Sequence, residues 1–378
     1  MGRPRRRNVT LRILYGVHGY SRGHATRAAA VLSELTKRHE VLILAGEDAY
    51  QLLKDDFDAQ PINSLRFYYG SDGRISKMLT LQRNFPLVAD MMLYGRRSRE
   101  LDARVRAFAP DVAISDAEPW THRVAYRLDI PRVGFDHFGI MVHCEVPFAP
   151  GDRLKSLLDR ASYKLFTGQP ERVLVSSFYD APPKRAGTRV IGPLLREMVK
   201  DIRVDEAGEH LLVYLNNGAH QMTPELERVF QGASVPVKLY GVPRTGRDGN
   251  VEYMPPAGRE FLEDLARARA IISTAGNQLV GEALYFGRPL LVMPEGTVEQ
   301  RMNAEAVVRM GVGEALSFAE LDTARLEGFL AKVPEYEINA RAQARDGREE
   351  ALGLLETWIA ELGHTSAGVR RAYHPARV

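Results

Sequence analysis

Two side chains far apart in the chain have types that together move protons. His24 lies in GVHGYSRGHATRAAAVLSEL, where Gly16, Gly19 and Gly23 loosen a loop that opens into a helix expected to begin near Thr26. Glycines at such a mouth let backbone approach a ligand at a helix N-terminus. Asp116 closes the apolar run DVAISD, at the same edge of the same expected sheet. A carboxylate hydrogen-bonded to one imidazole nitrogen fixes the tautomer, orients the ring and stabilises the imidazolium formed when the other nitrogen takes a proton. Taken singly, His24 fits a structural or capping role and Asp116 fits a helix N-cap. Taken together they are a candidate base and its orienter.

A second constellation lies in ARAIISTAGNQLVGEALYFGRPLLVMPEGTVEQRMNAEAVVRMGVG, residues 268–313. A strand ends at Ser273, the small turn Thr274-Ala275-Gly276-Asn277 follows, and a helix begins with its free amides facing outward. Such a terminus suits an anion, a diphosphate above all. Glu282 stands nearly two helical turns further on, where a carboxylate could accept both hydroxyls of a ribose, and Glu299-Gln300 offer acceptor and amide groups after the next strand. The plainer reading is an ordinary β-turn-α unit with a solvated acidic face. Phe135, Asp136 and His137 end another strand facing the same cleft and are candidate acceptor-binding residues.

Several chemistries lose their support. The glycine spacing G-x-x-G-x-x-x-G fits neither the dinucleotide G-x-G-x-x-G nor the P-loop. Asp56-Phe57-Asp58 resembles a metal-binding D-x-D, but it sits in the acidic loop KDDFDAQP. Cys144 is the only cysteine, so no internal disulfide and no cysteine metal cluster can form. No metal site is expected.

The elements that must position these residues alternate. LRILYGV (11–17), EVLILAG (40–46), SLRFYYG (64–70), DVAISD (111–116), PRVGFDH (131–137) and RVLVSS (172–177) read as strands with helical patterns between several of them. That alternation predicts a parallel sheet with helices on both faces. Gly192-Pro193 and a charged segment interrupt it, and a second series follows: HLLVYLNN (210–217), PVKLYG (236–241), NVEYM (250–254), RAIIST (269–274) and RPLLVMP (288–294). The expectation is two α/β, doubly wound domains, 1–190 and 205–345, with ligands bound outside the strand C-termini in the cleft between them. A last helix at 348–362 belongs to the segment 346–363, and residues 364–378, which lack an apolar pattern, read as a mobile tail.

Composition agrees with a folded protein. Of 378 residues, 45% are hydrophobic and 26% charged, and the 51 basic and 48 acidic side chains leave a net charge of +3, too little for a general nucleic-acid binder. The basic N-terminus has no apolar stretch of secretory type after it, and nothing approaches the roughly 18 consecutive apolar residues of a membrane span, which points to the cytoplasm. The stretch 74–99 mixes Met and Leu with clustered Arg; it reads as a core-packing helix with a solvated face, or as one that touches a membrane surface or a lipid acceptor.

In outline the donor segment resembles that of the inverting, nucleotide-sugar-dependent GT-B glycosyltransferases. Gly276, Glu282, Gly287-Arg288-Pro289, Glu299-Gln300, Asn303-Ala304 and Gly311-Val312-Gly313 stand in that superfamily's order. The group includes the peptidoglycan N-acetylglucosaminyltransferase and the plant and antibiotic small-molecule glycosyltransferases. The resemblance implies two Rossmann-like domains facing across a cleft, a C-terminal helix at 346–363 returning to the first domain, and no cofactor beyond a nucleoside-diphosphate sugar, UDP-linked by preference. It implies Gly276, Asn277 and Gln278 around the diphosphate, Glu282 on the ribose, and Glu299 and Gln300 on the sugar. It also implies His24 as base with Asp116, and a small-molecule or lipid-linked acceptor. Thr274 stands where the plant branch has His, and Gln278-Leu279 where it has Asn-Ser. A nucleotide-sugar 2-epimerase and a non-catalytic GT-B partner are the alternatives; TAGNQLVGEA and TVEQRMNA match the epimerase motifs poorly.

Overall fold

The computed structural model describes residues 10–20, 22–70, 76–203, 208–216 and 218–372, without the side chains of 22 and 364–372. Residues 1–9, the basic N-terminus, lie outside them. The first sheet is built from β1 (Arg12–Val17), β2 (Glu40–Gly46), β3 (Ala59–Ile62), β4 (Val112–Asp116), β5 (Arg132–Asp136), β6 (Arg172–Ser176) and β7 (Thr188–Ile191). All seven run parallel, in the order β3-β2-β1-β4-β5-β6-β7. The helices of this half are α1 (Arg22–Arg38), α2 (Glu47–Leu53), α3 (Lys77–Met92), α4 (Arg96–Phe108), α5 (Pro119–Arg127), α6 (Gly139–His143) and α7 (Arg153–Thr167). β4 and β5 are buried at every position, as the central strands of a parallel sheet covered on both faces must be.

The second sheet holds β8 (His210–Tyr214), β9 (Val237–Tyr240), β10 (Gly246–Asp248), β11 (Val251–Tyr253), β12 (Ala268–Ser273), β13 (Leu290–Val292) and β14 (Gly313–Ala315). Their order is β10-β11-β9-β8-β12-β13-β14, and only the edge strand β10 is antiparallel. α8 (Gly218–Gln221), α9 (Pro224–Gln231), α10 (Arg259–Arg267), α11 (Asn277–Tyr285), α12 (Val298–Arg309) and α13 (Thr323–Arg341) accompany this sheet. Two doubly wound α/β domains result. Strand order reverses between β1 and β4 in one sheet and between β8 and β12 in the other, and such switch points open the crevices in which ligands bind.

α14 (Arg348–Ala372) crosses back to the first sheet, where Ala351, Leu355, Trp358 and Ile359 join Ile13, Tyr15 and Ile114 in one apolar core. It runs past the expected end at 362, so the segment from 364 begins as helix. Gly363 and Gly368 lower helix propensity without ending it, and no proline intervenes before Pro375. The rest of the expected tail, 373–378, lies outside the described residues. A further core cluster joins the domains: Val175 of β6 and Ile140 of α6 belong with Leu212, Ile271 and Ala283 from the second half.

The expected strand at 64–70 is irregular chain, and β3 takes its place beside β2. The reason lies in where its polar groups go. The amides of Arg66 and Tyr68 donate to the side chains of Asn84 and Thr80 on α3, at 3.2 and 3.0 Å, and Ser64 Oγ accepts from Gly19 N at 3.0 Å. The first two bonds occupy backbone amides that a strand ladder would need.

Candidate active site

α1 starts one turn earlier than its glycines suggested, so His24 stands in its first turn with Arg27 on the same face. His24 Nδ1 lies 2.6 Å from Asp116 Oδ1. Asp116 is fully buried at the end of β4, where the register sets it beside Val17 of β1. Arg27 donates through Nε to Oδ2 at 2.8 Å and through a terminal nitrogen to Oδ1 at 2.5 Å. Burial alone would raise the Asp116 carboxyl, but the Arg27 charge and the His24 contact outweigh it and hold it below the ordinary range. Donation of Nδ1–H to this carboxylate leaves Nε2 as the acceptor nitrogen of a ring that is 21% exposed.

Asp116 is not the cap of the following helix. Ala117 takes a left-handed φ of 51°, which turns the chain so that Glu118 caps α5, accepting from Trp120 N at 2.9 Å and Thr121 N at 2.6 Å. Asp116 is thereby free for His24 and Arg27. Arg27 and His18 are residues the sequence reading passed over. His18 packs edge-on against the His24 ring with centroids 5.2 Å apart, and burial lowers it to about 3, keeping it neutral. The i, i+3 spacing of His24 and Arg27 was the signal for the first; nothing in the sequence singled out the second.

Across the cleft, Ala275 repeats the left-handed turn with φ 65°, and Gly276 caps α11 without a side chain. A Cβ at Gly276 would meet no atom within 4 Å, whereas one at Gly23 would stand 3.9 Å from Gln278 Cβ. The first turns of α1 and α11 therefore face each other, with open space at the α11 amides.

The side chains after Gly276 are committed elsewhere. Asn277 Oδ1 accepts from Phe178 N at 3.2 Å, and its amide donates to the Ser176 carbonyl at 3.3 Å. Gln278 donates to the carbonyl of Leu194 and to Glu282, both at 3.0 Å. Glu282, nearly inaccessible, takes a bidentate contact at 2.8 and 2.7 Å from Arg196, in the stretch between β7 and β8 where the chain crosses from one domain to the other. Gln300 braces Glu295, accepting from its amide at 2.6 Å, and Glu299 approaches His137 to 3.8 Å.

All three side chains of the expected acceptor trio are buried, and the polar groups of Asp136 and His137 have partners within the protein. Phe135 lies beneath the Arg27 guanidinium at 5.7 Å. Asp136 accepts from Tyr163 Oη at 2.6 Å and from Gly139 N at 2.5 Å, and burial raises its carboxyl. His137 joins Ser176 O at 2.9 Å to Asn303 Oδ1 at 3.0 Å, clasping one domain to the other. The trio forms the floor of the cleft because its strand is central and covered on both faces. Among the described residues, no three His, Cys, Asp or Glu side chains gather as a metal ion would need, and no helix is long and apolar enough to cross a membrane.

Known proteins share this architecture. An uncharacterized glycosyltransferase of Methanosarcina acetivorans is 26% identical, over 82% of this chain and 86% of the relative. The calicheamicin glycosyltransferase CalG4 superposes with a TM-score of 0.66 at 19% identity, covering 93% of this chain and 98% of that one. The glycosyltransferase VinC, solved with DTDP, gives 0.62 at 16% identity, covering 94% and 100%. These structures share the two-domain GT-B fold found here. The model of glycosyl transferase family 1 matches residues 11–334, most of the chain, and the protein belongs to that family.

Proposed function

We propose that the protein is an inverting glycosyltransferase that moves a sugar from a nucleoside-diphosphate sugar to an acceptor hydroxyl. The observation that carries this reading is the 2.6 Å contact of His24 Nδ1 with a buried, ionised Asp116, opposite the open N-terminus of α11. His24 Nε2 takes the acceptor proton as the oxygen attacks the anomeric carbon. The bond from that carbon to the diphosphate breaks on the opposite face, and its electron pair leaves with the phosphate oxygen. Attack opposite the leaving group inverts the configuration. The α11 amides and dipole meet the charge that appears on the diphosphate.

DTDP in the similarly folded VinC supports a nucleoside diphosphate as the donor class, and UDP-sugars are the first donors to test. Glu282 is the group proposed for the ribose and Glu299 and Gln300 for the sugar, with the donor sharing Glu282 with Arg196. Because α11 carries the charge stabilisation, transfer is expected to persist in excess chelator. Thermal shift against a panel of nucleotides, then transfer from the best donor with the product anomer read by NMR, tests the whole reading. The expected result is a nucleoside-diphosphate-dependent rise in melting temperature and an inverted product. A retained configuration, an epimerised free donor or no response to any nucleotide would each contradict it.

A further inference from the structure

Two helices of the first domain carry their apolar stripes on the outside. In α3, Met78, Leu81 and Phe85 recur at helical spacing and are 74, 68 and 63% exposed, and Met91 is its one buried side chain. In α7, Leu154, Leu157 and Leu158 are 71, 58 and 61% exposed. A surface helix ordinarily turns such a stripe to the core. The two helices come near each other at both ends, and Arg123 of α5 links their finishes. Near their starts the Lys77 charge acts on Lys155 and Asp159; near their finishes Arg123 donates to Met92 Sδ at 3.0 Å and to the Leu165 carbonyl at 2.6 Å. Their stripes thus belong to one surface region.

That region is basic. α3 and α7 hold six Lys and Arg against two Asp, a larger excess than the +3 of the whole chain. It also borders the cleft. Asp152, just before α7, pairs with Arg301 of α12 at 2.6 and 2.5 Å, and Lys155 donates to the Gly296 carbonyl in the second domain. The inner face of α7 supplies Tyr163 to Asp136 on the cleft floor.

We propose that the α3/α7 face docks on an anionic lipid bilayer and that the acceptor is a lipid-linked hydroxyl presented from that surface. Exposed Leu, Met and Phe enter the interface while Lys and Arg meet the lipid headgroups. The charge decides the occupant: two copies of this chain pairing through these faces would bring like charge against like, whereas an anionic bilayer complements it. The acceptor class rests on the function proposed above; the docking does not.

Sedimentation of the full chain with vesicles of phosphatidylcholine, alone or mixed with phosphatidylglycerol, tests the docking. The protein should pellet with the mixed vesicles, remain in solution with the neutral ones, and lose binding as salt is raised. Leu154→Asp/Leu158→Asp and Met78→Asp/Phe85→Asp, at exposed positions where the melting temperature should hold, are each expected to weaken partition about 100-fold. Should either fail to fold, Arg153→Glu/Lys164→Glu probes the charge alone and should also reduce pelleting. His24→Ala should pellet like the wild type, so failure of the transferase reading would leave the docking standing. Wild type that ignores mixed vesicles, variants that bind undiminished, or a dimer that the same substitutions dissolve would overturn the proposal.

Discussion

Asp116 stays ionised at a position with no solvent because three donors converge on it, and that makes Arg27 a structural partner of the carboxylate as well as a neighbour of His24. A depressed acid stabilises the fold above its unfolded value, about 3.9, and the contribution is lost as pH falls through its lower folded value. Arg27→Met leaves the buried carboxylate without its guanidinium partner, so it should cost about 3 to 5 kcal/mol at neutral pH and start the acid-side loss at higher pH, as urea denaturation would report. Glu118 has the opposite sign, since burial raises it from 4.5 to about 7 despite the amides it caps. Its contribution is withdrawn as pH rises through that window, because the unfolded chain ionises first. Wild type should therefore lose stability relative to Glu118→Gln between pH 4.5 and 7, with a constant gap above; a pH-independent gap would contradict it. His24 and Asp116 were legible because each sits at a recognisable strand or helix end. The occupation of Asn277, Gln278 and Glu282 was not, because their partners Phe178, Leu194 and Arg196 lie some 80 to 100 residues earlier in the chain.

At the scale of elements, α11 does two things at once: its amides open on the cleft while its next turn is tied to the crossing through Glu282 and Arg196. Arg196 also lies over the Phe261 ring at 5.6 Å. Glu282→Ala should cost on the order of 2 kcal/mol of stability, below the range for a fully buried pair because a quarter of Arg196 is exposed. It should also weaken UDP binding in calorimetry. Arg196→Ala should share the stability loss and keep the affinity. Equal loss of affinity in both variants would mean that the carboxylate acts only through the ion pair. The central strands were readable as apolar runs bounded by turn residues. β3, with the sequence AQPI, has no such run, and the aromatic stretch at 64–70 displayed strand composition while its amides were claimed by α3. β7 and β14 are edge strands of four and three residues, too short for periodicity to speak.

Across the whole molecule, the C-terminal helix makes the first domain depend on residues that follow the second. Leu355→Ala in that core should cost about 2 to 5 kcal/mol, and hydrogen exchange should accelerate in α1 and β4 while β12 keeps its protection. Loss spread evenly over both sheets would contradict this division. Two domains were visible in the restart of the strand–helix rhythm after Gly192-Pro193. The apolar cluster that runs between the domains, and the His137–Asn303 clasp, were not, because neither periodicity nor composition records which buried faces meet.

The central claim is that His24 and Asp116 act as one unit on an incoming hydroxyl. A double-mutant cycle of His24→Ala and Asp116→Asn, read as single-turnover transfer alongside donor binding, tests it most directly. His24→Ala should cut turnover about 100- to 10,000-fold with donor affinity little changed. Asp116→Asn should also depress it, and the double variant should be no worse than His24→Ala by more than a small factor. Losses that multiply independently, or full transfer activity in His24→Ala, would contradict the account.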